Sequence, residues 1–435
     1  MKIGTVKTSQ LYFIVSFAIA IAAGTGLLRL PCCLKGQEAM NWVDAGFTAT
    51  SAVCVTGLET VPLAELSWFG QLIVLALLQI GGLGIMTLTT SILVVLGHEL
   101  SHGGTVIMSN VSDRFSLRGT ESLTRAVFLY TLICEGAGLV LLFPLFWFGE
   151  GQSWYEAAWQ ALFHSVSAFC NAGMSPLPTG VADLSVWTKL VVAALFICGG
   201  LGVYVVYDIR SAYRTGERLH AQTRLILSWT GWLLVLGTVS LWGLQKLADV
   251  PVSFADAFFQ SAACRTAGFA SLNIGTLSAG SIAVIVMLML IGAAPGSTGG
   301  GMKVTTFALV TAGLYSTFKG RPRVILYRRM VPPENILKAF VLLMTYVLLA
   351  VFGALLLYQL TPCELYWALF ETASALATVG LELGAPEEPV TMAGKMFLIV
   401  YMFIGRVGLF TFFLFLLGRE HQERLIYPEE RMIVN

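Results

Sequence analysis

The sequence predicts an all-α integral membrane protein in which four covalently linked repeats of span, half-helix and span surround a pseudo-four-fold pore, giving eight transmembrane helices and four re-entrant half-helices. Three observations carry this reading. Of 435 residues, 56% are hydrophobic and 12% charged, with a mean hydropathy of +0.78, whereas a soluble domain carries about 25% charged residues. Apolar runs of about 20 residues, the length that crosses a hydrocarbon core of about 30 Å, recur along the chain and favour helices over barrel strands. One stretch also occurs four times: FTATSAVCVTGL at Phe47 to Leu58, FHSVSAFCNAGM at Phe163 to Met174, FFQSAACRTAGF at Phe258 to Phe269, and FETASALATVGL at Phe370 to Leu381. Each copy has a Phe ten residues before a Gly and a bulky apolar residue after it. A repeat at spacings of roughly a hundred residues means copies of one structural unit.

The first unit, residues 1–100, has spans at about Leu11 to Leu30 and Trp68 to Leu96. Lys2 and Lys7 precede the first apolar run, but its length and the repeat behind it favour a retained span over a signal peptide. The second unit, 101–209, has spans at about Thr124 to Phe148 and Val186 to Tyr207. The third, 210–322, has one at about Leu225 to Leu244 and a long interrupted segment from Ser281 to Thr317, the one broken span of the four units. The fourth, 323–435, has spans at about Ile336 to Leu360 and Met392 to Leu417, followed by a cytoplasmic tail. The pieces before each repeated stretch, such as Trp42 to Val53 and Trp154 to Phe169, are 10 to 16 residues long, too short to cross. Backbone that is not helical at membrane depth is tolerated only where protein buries it or water lines it. The stretch after each half-helix is therefore expected to line a pore.

Charge sets the orientation. The linkers between units hold Arg114 and Arg118, then Arg210, Arg214, Arg218 and Arg224, then Lys319, Arg321, Arg323, Arg328, Arg329 and Lys338. The opposite loops hold Glu59, Glu65, Glu150, Asp183, Glu364, Glu382, Glu387 and Glu388. The positive-inside rule puts the linkers and both termini in the cytoplasm and the repeated stretches toward the outside, where an acidic mouth concentrates cations. A net charge of +1 gives no reason to expect nucleic acid, and nothing points to an organic cofactor. The eight cysteines form no CxxC pair and read as small apolar residues of membrane helices. A bridge from Cys32 or Cys33 to Cys363 on the outer side stays open.

A dry, ion-selective pore needs oxygens that replace the hydration shell, which inward-turned backbone carbonyls supply. Glycine adopts the positive-φ conformations such a strand uses, and each copy has one: Gly57, Gly173, Gly268 and Gly380. The candidate filter is Cys54, Val55, Thr56 and Gly57; Cys170, Asn171, Ala172 and Gly173; Arg265, Thr266, Ala267 and Gly268; and Ala377, Thr378, Val379 and Gly380. The half-helix C-termini, each with about half a negative charge, point toward a cation held below it. A single copy would read as a small-residue packing motif; four copies at one interval, each between two spans, favour the pore. The fourth copy contains the TVG that begins the potassium-channel filter TVGYG, and the differing residues of the other three predict one well-formed potassium site near the glycines.

With these motifs the chain resembles the Trk/Ktr/HKT superfamily of potassium translocating subunits, and within it the Ktr type, over nearly its whole length: CVTGL at Cys54 to Leu58, CNAGM at Cys170 to Met174, CRTAGF at Cys264 to Phe269, and ATVGL at Ala377 to Leu381. The resemblance implies potassium uptake across a bacterial plasma membrane, a homodimer in lipid, and a cytoplasmic RCK-type nucleotide-binding regulatory ring. It also implies that Gly57 favours potassium over sodium, since relatives with Ser there tend to admit sodium.

The broken third span reads IGAAPGSTGGGMKVTT, Ile291 to Thr306. Pro295 removes a helix hydrogen bond, and Gly296, Gly299, Gly300 and Gly301 weaken helix propagation. Pro295 to Gly301 with Ser297, Thr298 and Lys303 is thus expected to open into a loop at membrane depth; the resemblance makes this a gate below the filter. The segment approaches the phosphate-binding pattern GxxxxGK[ST], but an extra residue precedes Lys303 and no strand leads in, so ATP binding is not expected. Arg406, in IGRVGLF, stands where the first two units have IGGLGIM and CGGLGVY. An intramembrane arginine must face protein or water: it either bonds helix carbonyls structurally or, as the resemblance implies, sits beside the loop and opposes cation passage. Glu135 is also intramembrane, with no partner legible.

Two rivals remain. HELSH, His98 to His102, matches the HExxH zinc-protease pattern, but no acidic third ligand can be placed beside it. A cation-coupled secondary transporter of another solute would usually show inverted repeats with broken helices in matching positions, whereas these repeats all run one way.

Overall fold

The structure, a computed structural model, describes residues 3–101, 119–384 and 388–408, with side chains described for 14–84, 86, 125–384 and 388–408. The HELSH side chains, Arg114, Arg118, Glu387 and the expected end of the last span at Leu417 lie outside the described residues.

The element order repeats four times. The first set is α1 (Ile3–Leu28), α2 (Trp42–Cys54) and α3 (Trp68–Ser101). The second is α4 (Gly119–Pro144), α5 (Trp154–Cys170) and the pair α6 (Val186–Leu201) and α7 (Val203–Thr215). The third is α8 (Ala221–Leu247), α9 (Phe254–Ala263), α10 (Ala279–Leu290) and α11 (Val304–Phe318). The fourth is α12 (Pro333–Leu360), α13 (Leu365–Ala377) and α14 (Met392–Val407). Among the described residues α8, α12 and the segment Arg125–Gly149 are each long and apolar enough to cross a membrane, and the bent pair α6–α7 together makes up to four.

The half-helices start where their sequences ask them to. Ser153 and Glu156 form a capping box at α5, and the Ser253 hydroxyl accepts from the Asp256 amide at α9. Three of them stop abruptly at a left-handed residue: Val55, Asn171 and Thr378. The helices α2, α5 and α13 each pack between the long helices that flank them.

The four sets close into a ring. Trp159 Nε1 donates to Gln71 Oε1 at 2.7 Å, joining the second set to the first. Lys189 pairs with Asp256 at 2.9 Å across the second and third, and Lys395 with Asp44 at 2.6 Å across the fourth and first. The helices α10 and α13 pack together between the third and fourth.

The second inner span departs from expectation. It is broken as well, bent by 88° between α6 and α7. The cause is Gly202 at φ +81°, where the third set's loop inserts: the Val203 amide donates to Gly296 O at 3.4 Å, and a Cβ on Gly202 would stand 3.0 Å from Gly296. A two-residue β-hairpin, β1 (Ile325–Leu326) with β2 (Arg329–Met330), also interrupts the all-helical pattern. Its tip residue Tyr327 reaches Ser228 Oγ at 2.8 Å, which brings two basic linkers to the same end of the molecule. All eight cysteines are free thiols; Cys33 is buried and donates to Leu27 O at 3.2 Å.

Candidate ion pathway

The four repeated stretches converge. A Cβ on Gly57 would strike the Ala172 carbonyl oxygen and stand 3.3 Å from Gly380 Cα; one on Gly173 would stand 2.6 Å from Gly268 Cα; one on Gly268 would strike Val379 O; and one on Gly380 would strike Thr56 O. Each glycine thus meets the stretch of a neighbouring set around one axis. Every filter candidate is buried except half-buried Gly173.

All four copies share a backbone pattern that is more demanding than their sequences suggest. The residue two before each glycine is left-handed: Val55 at φ +53°, Asn171 at +62°, Thr266 at +67° and Thr378 at +50°. The glycines follow at +101°, +71°, +77° and +88°. A non-glycine residue in that region is uncommon, and a β-branched one is an outlier. Such strain, about 1–3 kcal/mol per residue, persists only where the surroundings hold it. Here Ser51 Oγ accepts from the Gly57 amide at 3.0 Å, Ser374 Oγ from the Gly380 amide at 3.1 Å, and Ser167 Oγ donates to Met174 O at 2.7 Å. These serines were missed by motif reading although their spacing, four residues after the Phe, is the same in three copies. The third copy has Ala262 there, and its Gly268 amide bonds Ala263 O instead.

The hydroxyls of Thr56, Thr266 and Thr378 are buried with no hydrogen-bond partner. Those of Thr266 and Thr378 face the loop beneath, since Cβ atoms on Gly299 and Gly300 would strike them. Arg265 lines a small cavity with Asn171, Phe196 and Thr230 between α6 and α8.

The predicted loop is present, opening after Leu290 and closing at Val304. Its ends are clamped by Gly292 N to Met302 O at 2.7 Å and Val304 N to Ala293 O at 3.2 Å. Ala294 N donates to Gly200 O and Thr298 N to Gly199 O, fixing it to α6. Thr298 Oγ1 donates to Phe169 O at 3.1 Å and lies 3.1 Å from the Asn171 amide. Pro295 and Gly296 sit at the α6–α7 bend, Ser297 bonds Ala294 O, Gly301 lies against Ala377, and Lys303 Nζ donates to Gly299 O at 2.7 Å. Arg406 is 1% exposed, donating to Thr298 O at 2.7 Å and to Gly81 O at 2.9 Å. It thus bonds a helix carbonyl, as the structural reading expects, and a carbonyl of the loop at once.

Gly81, Gly199 and Gly405 occupy one position of the three related motifs, and a Cβ on each would strike the carbonyl of Val53, Phe169 or Leu376 in the last turn of a half-helix. Glu135 has its partner in Gln79, whose Nε2 donates to Oε2 at 3.2 Å, while Cys170 Sγ donates to Gln79 Oε1 at 3.7 Å. Next to the glycines, the Glu59 amide donates to Glu382 Oε1 at 2.8 Å and the Leu383 amide to Glu371 Oε1 at 3.0 Å, so Glu59 and Glu382 lie together with Glu371 buried in the half-helix behind them. Burial pushes the Glu59 carboxyl up to about 8, with the charge of Glu382 adding to the rise. Glu382 is raised too, chiefly by its confined surroundings, although its outer face remains exposed. Among the described residues no His, Cys, Asp or Glu cluster could hold a metal ion in the manner of an enzyme site.

A family profile described as "TrkH: Cation transport protein" matches residues 7–424. The chain belongs to the TrkH family. It is 33% identical over 429 residues to the Ktr system potassium uptake protein B of Bacillus subtilis, covering 95% of this chain and 94% of that protein. It is 32% identical over 434 residues to the potassium/sodium uptake protein NtpJ of Enterococcus hirae, covering 96% and 95%. The crystal structure of the potassium transporter TrkH from Vibrio parahaemolyticus superposes with a TM-score of 0.73 at 21% identity, covering 94% of this chain and 85% of that one, and so shares the fold. Membership of this transport family sets the zinc-protease reading aside, and the chain is a membrane transport protein.

Proposed function

We propose that this TrkH-family chain takes up potassium along the axis where its four repeated stretches meet. The observation that carries the reading is the ring itself: four copies of one left-handed, one-residue, glycine pattern closing on one another. Alternating positive and negative φ turns successive carbonyls of an extended segment to the same side, giving the oxygens that replace a hydration shell. The unpartnered hydroxyls of Thr266 and Thr378 add oxygens at the inner end. Potassium is the substrate by analogy with the named function of the Bacillus subtilis relative.

In this reading residues 295–301 and Lys303 form a gate. The loop lies across the inner end of the filter, and Arg406 fastens it to α3 while adding a positive charge on the path. A cation passes when the loop leaves. Because α11 continues from the loop toward the basic linker that carries the β-hairpin, a cytoplasmic RCK-type ring binding there would move the loop by displacing α11. The four units would span 1–100, 101–209, 210–322 and 323–435, with both termini in the cytoplasm of a bacterium and two chains per assembly.

The purified chain in proteoliposomes tests this. Inward potassium flux, competed by excess potassium and weakly by sodium, is the expected result; flux of an organic solute with no potassium flux would overturn it. Sodium is the cation to vary as a second substrate or coupling ion, since the Enterococcus hirae relative is named for both.

A further inference from the structure

Between α2 and α14 lies a lateral groove of about 720 Å³, within the range of about 300–1,000 Å³ typical of ligand sites. Trp42, Val43 and Gly46 line one wall and Met392, Met396 and Ile399 the other. Trp42, Met392 and Met396 are 59%, 65% and 50% exposed, a large apolar surface on a membrane-resident chain. The groove has no free polar group to offer: the Thr50 hydroxyl at its floor bonds Gly46 O at 2.7 Å. Small residues keep it open, since a Cβ on Gly46 would meet nothing closer than 3.9 Å and the opposite wall carries Ala393.

Charge is confined to the outer rim. Asp44 and Lys395 satisfy one another there. Arg29 does not share in this: its guanidinium lies over the Trp42 ring at 4.0 Å and has no carboxylate within ion-pair distance among the described residues. An occupant must therefore be apolar along its length and anionic at one end. We propose that the groove holds one phospholipid of the outer leaflet, its phosphate on Arg29 and an acyl chain running from Trp42 toward Ile399. Arginine matches phosphate with two parallel N–H donors, and tryptophan belongs at the headgroup level. The site has a consequence for transport, because the wall formed by α2 is the back of the half-helix that ends in Val55, Thr56 and Gly57. A lipid seated there braces one quarter of the filter from behind.

The test uses the full chain, delipidated in detergent and titrated with dioleoyl phosphatidylglycerol or dioleoyl phosphatidylcholine under native mass spectrometry. Wild type is expected to retain one lipid per chain more tightly than the rest. Ala393→Trp, and independently Met396→Trp, should abolish that tight site by filling the groove, and Arg29→Gln should weaken it about tenfold for both lipids, since both carry the phosphate. A cooperative thermal unfolding transition in the same detergent confirms that each variant is folded, and potassium flux of the wild type after reconstitution separates failure of this site from failure of the transport reading. Identical lipid binding in wild type and both Trp variants overturns the proposal, as does tight binding indifferent to Arg29→Gln. Conversion of dimers to monomers by Ala393→Trp with lipid binding unchanged also overturns it, and assigns the groove to a second copy of the chain.

Discussion

Val55, Thr266 and Thr378 show why the proposed filter cannot be read one residue at a time. Each is β-branched and left-handed, a combination that local propensity opposes by about 1–3 kcal/mol; backbone bonds to the end of the half-helix hold it, joined by Ser51 and Ser374 in the first and fourth copies. The glycines were legible because no other residue fits their φ and their crowding, whereas the strained residues two positions earlier carry no local signal. Gly57→Ser follows from the same geometry. Its Cβ has no space beside the Ala172 carbonyl, and φ +101° is closed to serine, so that quarter of the ring must distort. Potassium over sodium permeability measured by competition flux should fall several-fold, and an unchanged ratio would remove Gly57 from the filter. The Glu59 and Glu382 carboxylates, placed by the proposed orientation at the outer mouth, give a pH prediction. Their pKa values are raised, Glu59 to about 8 and Glu382 to about 7, so they are half protonated at those values and take up protons as pH falls through them. The mouth then loses negative charge and concentrates cations less. The half-saturating potassium concentration should rise as the outside is acidified over this window, and Glu59→Gln with Glu382→Gln should flatten the dependence.

At the scale of elements, two devices place the four repeated stretches and the loop. One is the glycine of each inner helix that lets it touch a half-helix carbonyl. Gly405→Ala drives a methyl group into Leu376 O, and overpacking of this kind costs about 1–3 kcal/mol; a lower midpoint of thermal unfolding in detergent is the expected reading, larger than for Gly26→Ala, which meets open space. The other is the loop. Its existence was legible from Pro295 and the glycine run, but the 88° bend of the second inner span was not, because Gly202 has a near counterpart in Gly84, within a helix that runs on unbroken to Ser101. What bends α6–α7 is the foreign carbonyl of Gly296, a contact from another repeat. Shortening 296–301 by two residues should detach Thr298 from Arg406 and raise potassium flux in the absence of any cytoplasmic partner; equal or lower flux from a folded variant would remove the gating role.

The whole molecule is a ring closed by ion pairs that no motif announced. Lys395 with Asp44 and Lys189 with Asp256 join non-identical neighbours at related positions, four residues after the helix-capping Thr391 and Ser185. Both side chains of the first pair are largely buried, at 23% and 16% exposure, so its loss should cost about 1–3 kcal/mol, between exposed and fully buried pairs. Lys395→Asp should lower the unfolding midpoint of the purified chain, and the swap Lys395→Asp with Asp44→Lys should restore most of it; no recovery would mean the two residues act separately. Membrane residence, the four-fold count, the half-helices and the loop were determined by sequence alone, because hydropathy, segment length and glycine placement are local properties that water and lipid read directly. The left-handed residues before the glycines, the second broken span, the attachment of Arg406 to both Thr298 and Gly81, and the partner of Glu135 were decided only in three dimensions. The last three depend on a backbone carbonyl or side chain delivered by a different repeat, and a single chain position carries no record of which neighbour will arrive there.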